Sequence, residues 1–187
     1  MMNIKYSIAT SDDEIPLGQV YYHVSSESSL YLPQVRLDDK GKLKFNVLDC
    51  AVAKENNKLV GFVASMTDFA TVQPYALRAG LDWEETVVQE EGILSNYREK
   101  KIVTALHDTA TKYAKEVKGS KHLTLLVNWQ NKKGLKFAEK MKMTRVLEPQ
   151  ISKEQEEQLG IRSSRNGLFQ DEFLSKNELW VQYVKEL

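Results

Sequence analysis

The sequence predicts a mixed α/β fold, a single domain in which a partly antiparallel sheet is flanked by helices. The first observation is a hairpin, in which Asn56 and Asn57 separate two apolar runs and suit a tight turn with positive φ. The second is an amphipathic helix over residues 98–117, whose apolar side chains recur at helical spacing. The third is the predicted element order, β α β β β α β α β, which is typical of a mixed sheet.

Composition indicates a soluble globular protein and excludes several classes. With 187 residues, of which 42% are hydrophobic and 28% charged, the chain is long enough for one domain with its own core. Because 26 basic residues balance 26 acidic ones, we expect neither nucleic acid nor a membrane as a partner. No apolar run is long enough to cross a bilayer, no signal peptide is recognisable, and the single Cys50 fits a reducing compartment. The expected location is therefore cytoplasmic, and the three scattered histidines predict no metal site.

Turn residues and periodicity divide the remaining chain into elements. Residues 68–82 lack a clean period and are interpreted either as a binding element, in the form of a loop or short helix, or as a surface crossover. An insertion at about residues 150–176, expected to be helical with a helical turn at 169–173, precedes the last strand. Strands are predicted at 5–9, 49–54, 58–65, 83–94, 123–127, 144–147 and 179–184, and helices at 16–26, 98–117 and 131–141.

Three segments resemble the GNAT superfamily of acetyl-CoA-dependent N-acetyltransferases, namely residues 52–63, 97–103 and 131–143. The resemblance covers about residues 5–147 and identifies the chain as a divergent member. It implies an enzyme that uses acetyl-CoA as co-substrate and acetylates a primary amine by direct attack on the thioester. The implied acceptor is an unidentified amine of a small molecule or a peptide.

The resemblance also implies where the coenzyme would bind. In the family, the end of the central strand bonds the pantetheine arm, and a loop of pattern Arg/Gln-x-x-Gly-x-Gly/Ala wraps the pyrophosphate at a helix N-terminus. Here Arg98 matches the first position, whereas Lys101 and Val103 stand where glycine, and glycine or alanine, are usual. Lys100 and Lys101 either compensate by charge or form the solvated first turn of an ordinary helix. The expected coenzyme-binding residues are Ile93, Leu94, Arg98, Glu99, Lys100, Lys101, Ile102, Val103 and Asn131.

The proton transfers of the reaction need groups that this sequence supplies only in part. Family members that use a glutamate base place it on the strand before the loop, where Glu85 matches best and Glu91 is the second choice. The alternative interpretation is that these carboxylates are solvated or paired with lysines of the next helix. Many members carry a tyrosine that protonates the leaving thiolate, and Ala138 occupies that position here. Tyr97, Tyr113 or water would have to replace it.

Two functions therefore remain open from the sequence. The leading hypothesis is an acyl-CoA-dependent N-acetyltransferase. The alternative is a catalytically weak or inactive module of the same fold, which binds acyl-CoA as a sensor or serves as a protein-interaction scaffold. His107, beside Asp108 on the charged side of the long helix, is expected to be exposed rather than catalytic. Residues 179–184 would present a free strand edge through which a homodimer could form.

Overall fold

The structure is a computed structural model that describes residues 3–27, 45–98, 102–172 and 174–187. Its contacts divide the chain into two compact units. The first unit comprises Met1–Met66 with Glu90–Lys118, and the second comprises Thr67–Gln89 with Gly119–Leu187. Their strands and helices form a mixed α/β fold with a mostly antiparallel sheet, which confirms the predicted fold class. That the two units make one domain stays a prediction.

The order of strands and helices along the described chain is much as the sequence predicts. Strand β4 is divided between the two units, because its first four residues belong to the second unit and its last four to the first. The strands are β1 (Ile4–Ile8), β2 (Cys50–Glu55), β3 (Lys58–Met66), β4 (Thr86–Ile93), β5 (His122–Asn128), β6 (Thr144–Arg145), β7 (Ile161–Ser163), β8 (Leu168–Asp171) and β9 (Ser175–Glu186). The helices are α1 (Glu14–Glu27), α2 (Phe69–Ala79), α3 (Ile102–Glu116), α4 (Lys132–Lys140) and α5 (Lys153–Gln158).

The first unit is built on the predicted hairpin. Strand β2 pairs antiparallel with β1 and with β3, and Asn56 and Asn57 turn the chain with φ of 50° and 65°. Successive strand residues face opposite sides, so Phe62 stacks on Tyr21 of α1 while Val63 faces α3. The apolar stripe of α3 closes a buried cluster made of Ala51, Ala53, Val60, Val63, Ile93, Ile102, Leu106 and Ala110. The helical spacing read from the sequence therefore reports a real core face.

The second unit is organised around β5. Residues 122–125 pair in parallel with residues 86–89 of β4, and all of β5 pairs antiparallel with β9. The other edge of β9 pairs with β6 and β8, and β7 pairs with β8. Since β9 is hydrogen-bonded on both sides, the prediction that residues 179–184 present a free edge is wrong.

Two segments left open by the sequence take definite structures in this unit. Residues 68–82 contain helix α2, which begins where the Asp68 carboxylate accepts a hydrogen bond from Thr71 N and ends at Gly80 with φ of 70°. The insertion holds α5 together with β7 and β8, so its composition is not only helical. The helical turn expected at 169–173 is wrong, because residues 168–171 form β8 against β9. The turn between β7 and β8 uses left-handed φ at Asn166 and Gly167.

Candidate active site

The turn that follows β4 connects it to α3 and is called here the brace turn, residues 94–98. Its first residue, Leu94, donates its N–H to the carbonyl of Val60 on β3 at 3.1 Å. Tyr97 N then bonds Leu94 O at 2.8 Å, which closes the turn. The strand end before it is tightly packed, because a Cβ at Gly92 would lie 2.4 Å from the Phe62 ring. The sequence thus places a fixed turn where the resemblance implies the start of a coenzyme loop.

Two side chains of the brace turn reach back to other elements of the first unit. Arg98 donates from Nε to the carbonyl of Ile93 at 3.0 Å, and its terminal nitrogen forms an ion pair with Glu27, the last residue of α1. The Tyr97 hydroxyl donates to Glu55 Oε2 at 2.6 Å. Both edges of the Arg98 guanidinium therefore contact protein groups.

The remaining coenzyme residues expected in this region divide into two sets. Glu99, Lys100 and Lys101 lie outside the described residues. Ile93 and Ile102 are buried in the α3 cluster, and Leu94 and Val103 pack against it, so these four side chains face protein. An anion could be bound here by the backbone instead. The first N–H groups of α3, a helix of 15 residues, have no acceptor within the helix. This helix end, with lysines directly before it in the sequence, fits a phosphate-bearing coenzyme.

Glu91 and His107 form a polar pair within the first unit. Glu91 Oε2 lies 2.8 Å from His107 Nε2, and the His107 side chain is 1% exposed while that of Glu91 is 36% exposed. Glu91 stands two residues before Ile93 and so shares the strand face that packs on α3. The expectation that His107 is exposed is therefore wrong. The buried face of α3 is wide enough to include both Leu106 and His107.

Glu85 lies in the second unit, immediately before β4, and is engaged in local structure. Its carboxylate pairs with Lys121, and its backbone carbonyl accepts hydrogen bonds from Lys121 N at 2.8 Å and His122 N at 3.0 Å. The hydrogen bond from Lys121 to this carboxylate raises the pKa of Lys121. The described geometry matches the alternative interpretation of pairing with a lysine, although this lysine precedes β5 rather than lying on α3.

The predicted coenzyme residue Asn131 caps α4 in the second unit. Its side-chain oxygen accepts a hydrogen bond from Gly134 N at 2.9 Å. A Cβ at Gly134 would come within 2.9 Å of both Asn131 Nδ2 and Val127 Cγ1, so a larger residue here would force these side chains to shift. Ala138, one turn further on, is fully buried. The position that the resemblance assigns to the proton-donating tyrosine therefore lies in the core.

The two tyrosines considered as replacements are both bound to carboxylates. The hydrogen bond from Tyr97 to Glu55 raises the pKa of Tyr97. Burial raises the pKa of Tyr113, and its hydroxyl also donates to Asp49 at 3.0 Å, which raises the pKa further. A phenol that donates to a carboxylate is a poor proton donor to another group. Neither tyrosine is therefore a ready acid for the leaving thiolate.

The described residues include neither a membrane-spanning helix nor a metal-binding cluster. No helix among them is both long and apolar enough to span a membrane. Within the same residues, no group of three or more histidine, cysteine or acidic side chains is arranged to hold a metal ion.

Comparison with known proteins identifies the family. The pattern of the acetyltransferase (GNAT) family matches residues 18–143, about two thirds of the chain. Among solved structures, the chain is similar to an N-acetyltransferase from Staphylococcus aureus Mu50, with 14% identity, 98% of each chain covered and a TM-score of 0.62. It is also similar to an acetyltransferase of the GNAT family from Streptococcus pneumoniae, with 15% identity, 99% of this chain and 100% of the other covered, and a TM-score of 0.63.

A third similar structure is yncA from Salmonella typhimurium, solved with its cofactor acetyl-CoA, with 13% identity, 98% of this chain and 94% of the other covered, and a TM-score of 0.61. A search of curated proteins gives no match. The fold and the family pattern together define an acyl-CoA-dependent N-acyltransferase with acetyl-CoA as co-substrate. The chain belongs to the acetyltransferase (GNAT) family.

Proposed function

We propose that the protein transfers the acetyl group of acetyl-CoA to a primary amine by direct attack, with Glu91 as the base. The observation that carries the proposal is the Glu91 carboxylate, partly exposed near the end of β4 and held at 2.8 Å by the buried His107. It lies three residues before the brace turn, on the strand that in this family precedes the coenzyme loop. The acceptor is a small-molecule or peptide amine, and we retain a cytoplasmic location and a homodimer as predictions.

The coenzyme would be held mainly by backbone N–H groups at the start of α3. The first-turn N–H groups of α3 attract the pyrophosphate, and Lys100 and Lys101 add positive charge. Asn131 is retained as a predicted coenzyme residue, and its side-chain oxygen accepts the hydrogen bond from Gly134 N that caps α4. When bound, acetyl-CoA supplies the thioester whose C–S bond breaks as the new C–N bond forms.

Proton removal is the task assigned to Glu91. An amine arrives protonated at neutral pH, and its lone pair becomes available only when a base takes the proton. The proton passes from the ammonium nitrogen to the Glu91 carboxylate, whose other oxygen is held by His107. Glu85 is a weaker choice because its carboxylate is paired with Lys121. The leaving thiolate takes its proton from water, since Ala138 has none to give and both candidate tyrosines are bound to carboxylates.

The test combines calorimetry with acetyl-CoA and a thiol-release assay over a panel of primary amines. For the best acceptor, we expect Glu91→Gln to lower kcat about 10²–10⁴-fold, the usual contribution of a general base, with little change in acetyl-CoA affinity. Glu172→Gln, which removes an exposed pair with Arg162, is the control and should retain wild-type rates. A loss of that size in Glu85→Gln together with an unchanged Glu91→Gln would transfer the role to Glu85.

The fully buried Ala138 and the two carboxylate-bound tyrosines favour one second candidate, a module that binds acyl-CoA without efficient transfer. Such a module would act as a sensor or an interaction scaffold. Tight binding of acetyl-CoA with no thiol release on any amine of the panel would support it against the transferase.

A further inference from the structure

The brace turn is anchored by carboxylates that come from far away in the sequence. Glu27 closes α1 and Glu55 closes β2, and they bind Arg98 and Tyr97 respectively. All of these residues belong to the first unit. We propose that Glu27 and Glu55 are positioning residues for coenzyme binding, which hold the brace turn in place without touching the coenzyme. The inference rests on the proposed coenzyme site at the start of α3.

The position of Glu27 indicates that it is held by its contacts rather than by its own helix. A negative charge at a helix C-terminus is unfavourable, because that end of the helix carries partial negative charge. The last turn of α1 contains no basic residue that would offset the charge of Glu27. Glu27 instead contacts Arg98 and lies 3.2 Å from His23. The ion pair with Arg98 is about three-quarters buried on both sides, so solvent screens it less than a surface pair.

Arg98 takes a different role in this arrangement from the one implied by its place in the loop pattern. Its Nε bonds the Ile93 carbonyl and its terminal nitrogen bonds Glu27, so its charge is already balanced by a protein carboxylate. Charge for the phosphates is then left to the helix end and to the lysines after Arg98. Arg98 acts as a brace between β4 and α1.

The brace turn is fixed from four directions. Leu94 is tied to β3 through Val60, Tyr97 to β2 through Glu55, and Arg98 to α1 and to the end of β4. Arg98 precedes the first residue of α3 by only four positions. Holding the turn therefore limits the directions in which the start of α3 can point, and an anion site made of convergent N–H groups depends on that direction.

The experiment is a pair of double-mutant cycles read by calorimetry with acetyl-CoA. The first uses Glu27→Gln, Arg98→Gln and both together, and the second uses Glu55→Gln, Tyr97→Phe and both together. We expect each single substitution to weaken the binding of acetyl-CoA roughly three- to thirtyfold. Each double variant should bind no more weakly than the weaker-binding of its two single variants, because the two residues of each pair act together. The charge-reversed pair E27R/R98E should recover part of the lost affinity, and Glu172→Gln should bind like the wild type.

Salt dependence separates a brace from a phosphate ligand. If Arg98 contacts no phosphate, replacing it leaves the slope of affinity against salt concentration unchanged, whereas removal of a phosphate-binding cation would flatten that slope. Additive effects, a flatter slope for Arg98→Gln, or tighter binding by Glu27→Gln would each overturn the inference. If the wild-type protein binds acetyl-CoA and neither Glu27→Gln nor Glu55→Gln changes the affinity, the inference is overturned while the proposed function stands. An absence of binding by the wild-type protein would overturn the proposed function as well.

Discussion

Asp13 shows at the scale of one residue how a buried charge is kept in this protein. Burial by itself would raise the pKa of this carboxyl, but the hydrogen bond and charge of Lys54 and the bonds from Thr10 outweigh it and lower the pKa below the ordinary 3.8. Lys54 Nζ lies 2.6 Å from Asp13 Oδ1, and Thr10 N lies 3.0 Å from Oδ2. The carboxylate thus links the start of α1 to β2.

Asp13→Asn is expected to destabilise the protein by about 1–2 kcal/mol at pH 6, because charged hydrogen bonds are lost while Lys54 keeps some access to water. A carboxyl whose pKa is lower in the folded state stabilises above its unfolded pKa of about 3.8, and the effect disappears as the pH falls through the folded pKa. Urea unfolding of both proteins from pH 6 down to pH 3 checks this. A difference that stays constant below pH 3.8 would contradict it.

His107 marks the limit of sequence reasoning about single residues. Its neighbour Asp108 is exposed, and a charged neighbour suggests a solvated face. His107 contacts Glu91, which lies 16 positions earlier, and no local sequence pattern predicts that contact. Arg78 is a similar case, since this arginine of α2 is fully buried over the Phe169 ring and bonds Gln182. Its burial lowers its pKa to about 10.

Among the elements, those that carry their own periodicity, caps or turn residues were predicted, whereas β8, which depends on its partner strand, was not. The β2–β3 hairpin, α3, β5 and α4 are confirmed, because turn residues, caps and apolar spacing are written within each of them. Strand β8 was missed, since residues 168–171 are a strand only by virtue of pairing with β9. The loop pattern likewise pointed to residues 98–103 as the proposed coenzyme region, but it contains no sign of Glu27 and Glu55, which bind Arg98 and Tyr97.

Gly92 and Gly18 give a matched prediction at this scale. A methyl group at residue 92 would press into Phe62, which packs against both Tyr21 and Phe45, so we expect Gly92→Ala to destabilise by about 1–3 kcal/mol. At residue 18, within α1, an added Cβ meets nothing within 4 Å. Gly18→Ala should therefore stabilise by about 0.5–1 kcal/mol through helix propensity. Thermal or urea unfolding of both variants measures the two changes in the free energy of unfolding. If Gly92→Ala proves as harmless as Gly18→Ala, the Phe62 ring moves aside and the prediction is wrong.

At the scale of the whole molecule, we expect acetyl-CoA binding to increase the free energy of unfolding. Acetyl-CoA at about 100 times its Kd should add roughly 2.7 kcal/mol to the free energy of unfolding, provided that only the folded chain binds it. For a protein of this size, that corresponds to an increase in Tm of about 5–10 °C. Thermal unfolding at increasing acetyl-CoA tests it, with Lys100→Ala and Lys101→Ala as variants expected to show a smaller increase. No increase at any concentration would contradict a coenzyme site.

The pairing of β5 with β9 also bears on how the chain reaches its native state. Its partners are 52 to 64 residues apart, from Asn128 with Trp180 to His122 with Glu186, whereas the β2–β3 hairpin closes across two asparagines. Closing a long loop costs chain entropy before any contact repays it, and non-local strand pairing slows folding. The hairpin can therefore form early, while β5 waits for a strand made some fifty residues later. The pairing of β1 with β2, from Ile8 with Ala51 to Ile4 with Glu55, spans almost as many residues, so each unit contains one non-local strand pairing that should form after the hairpin.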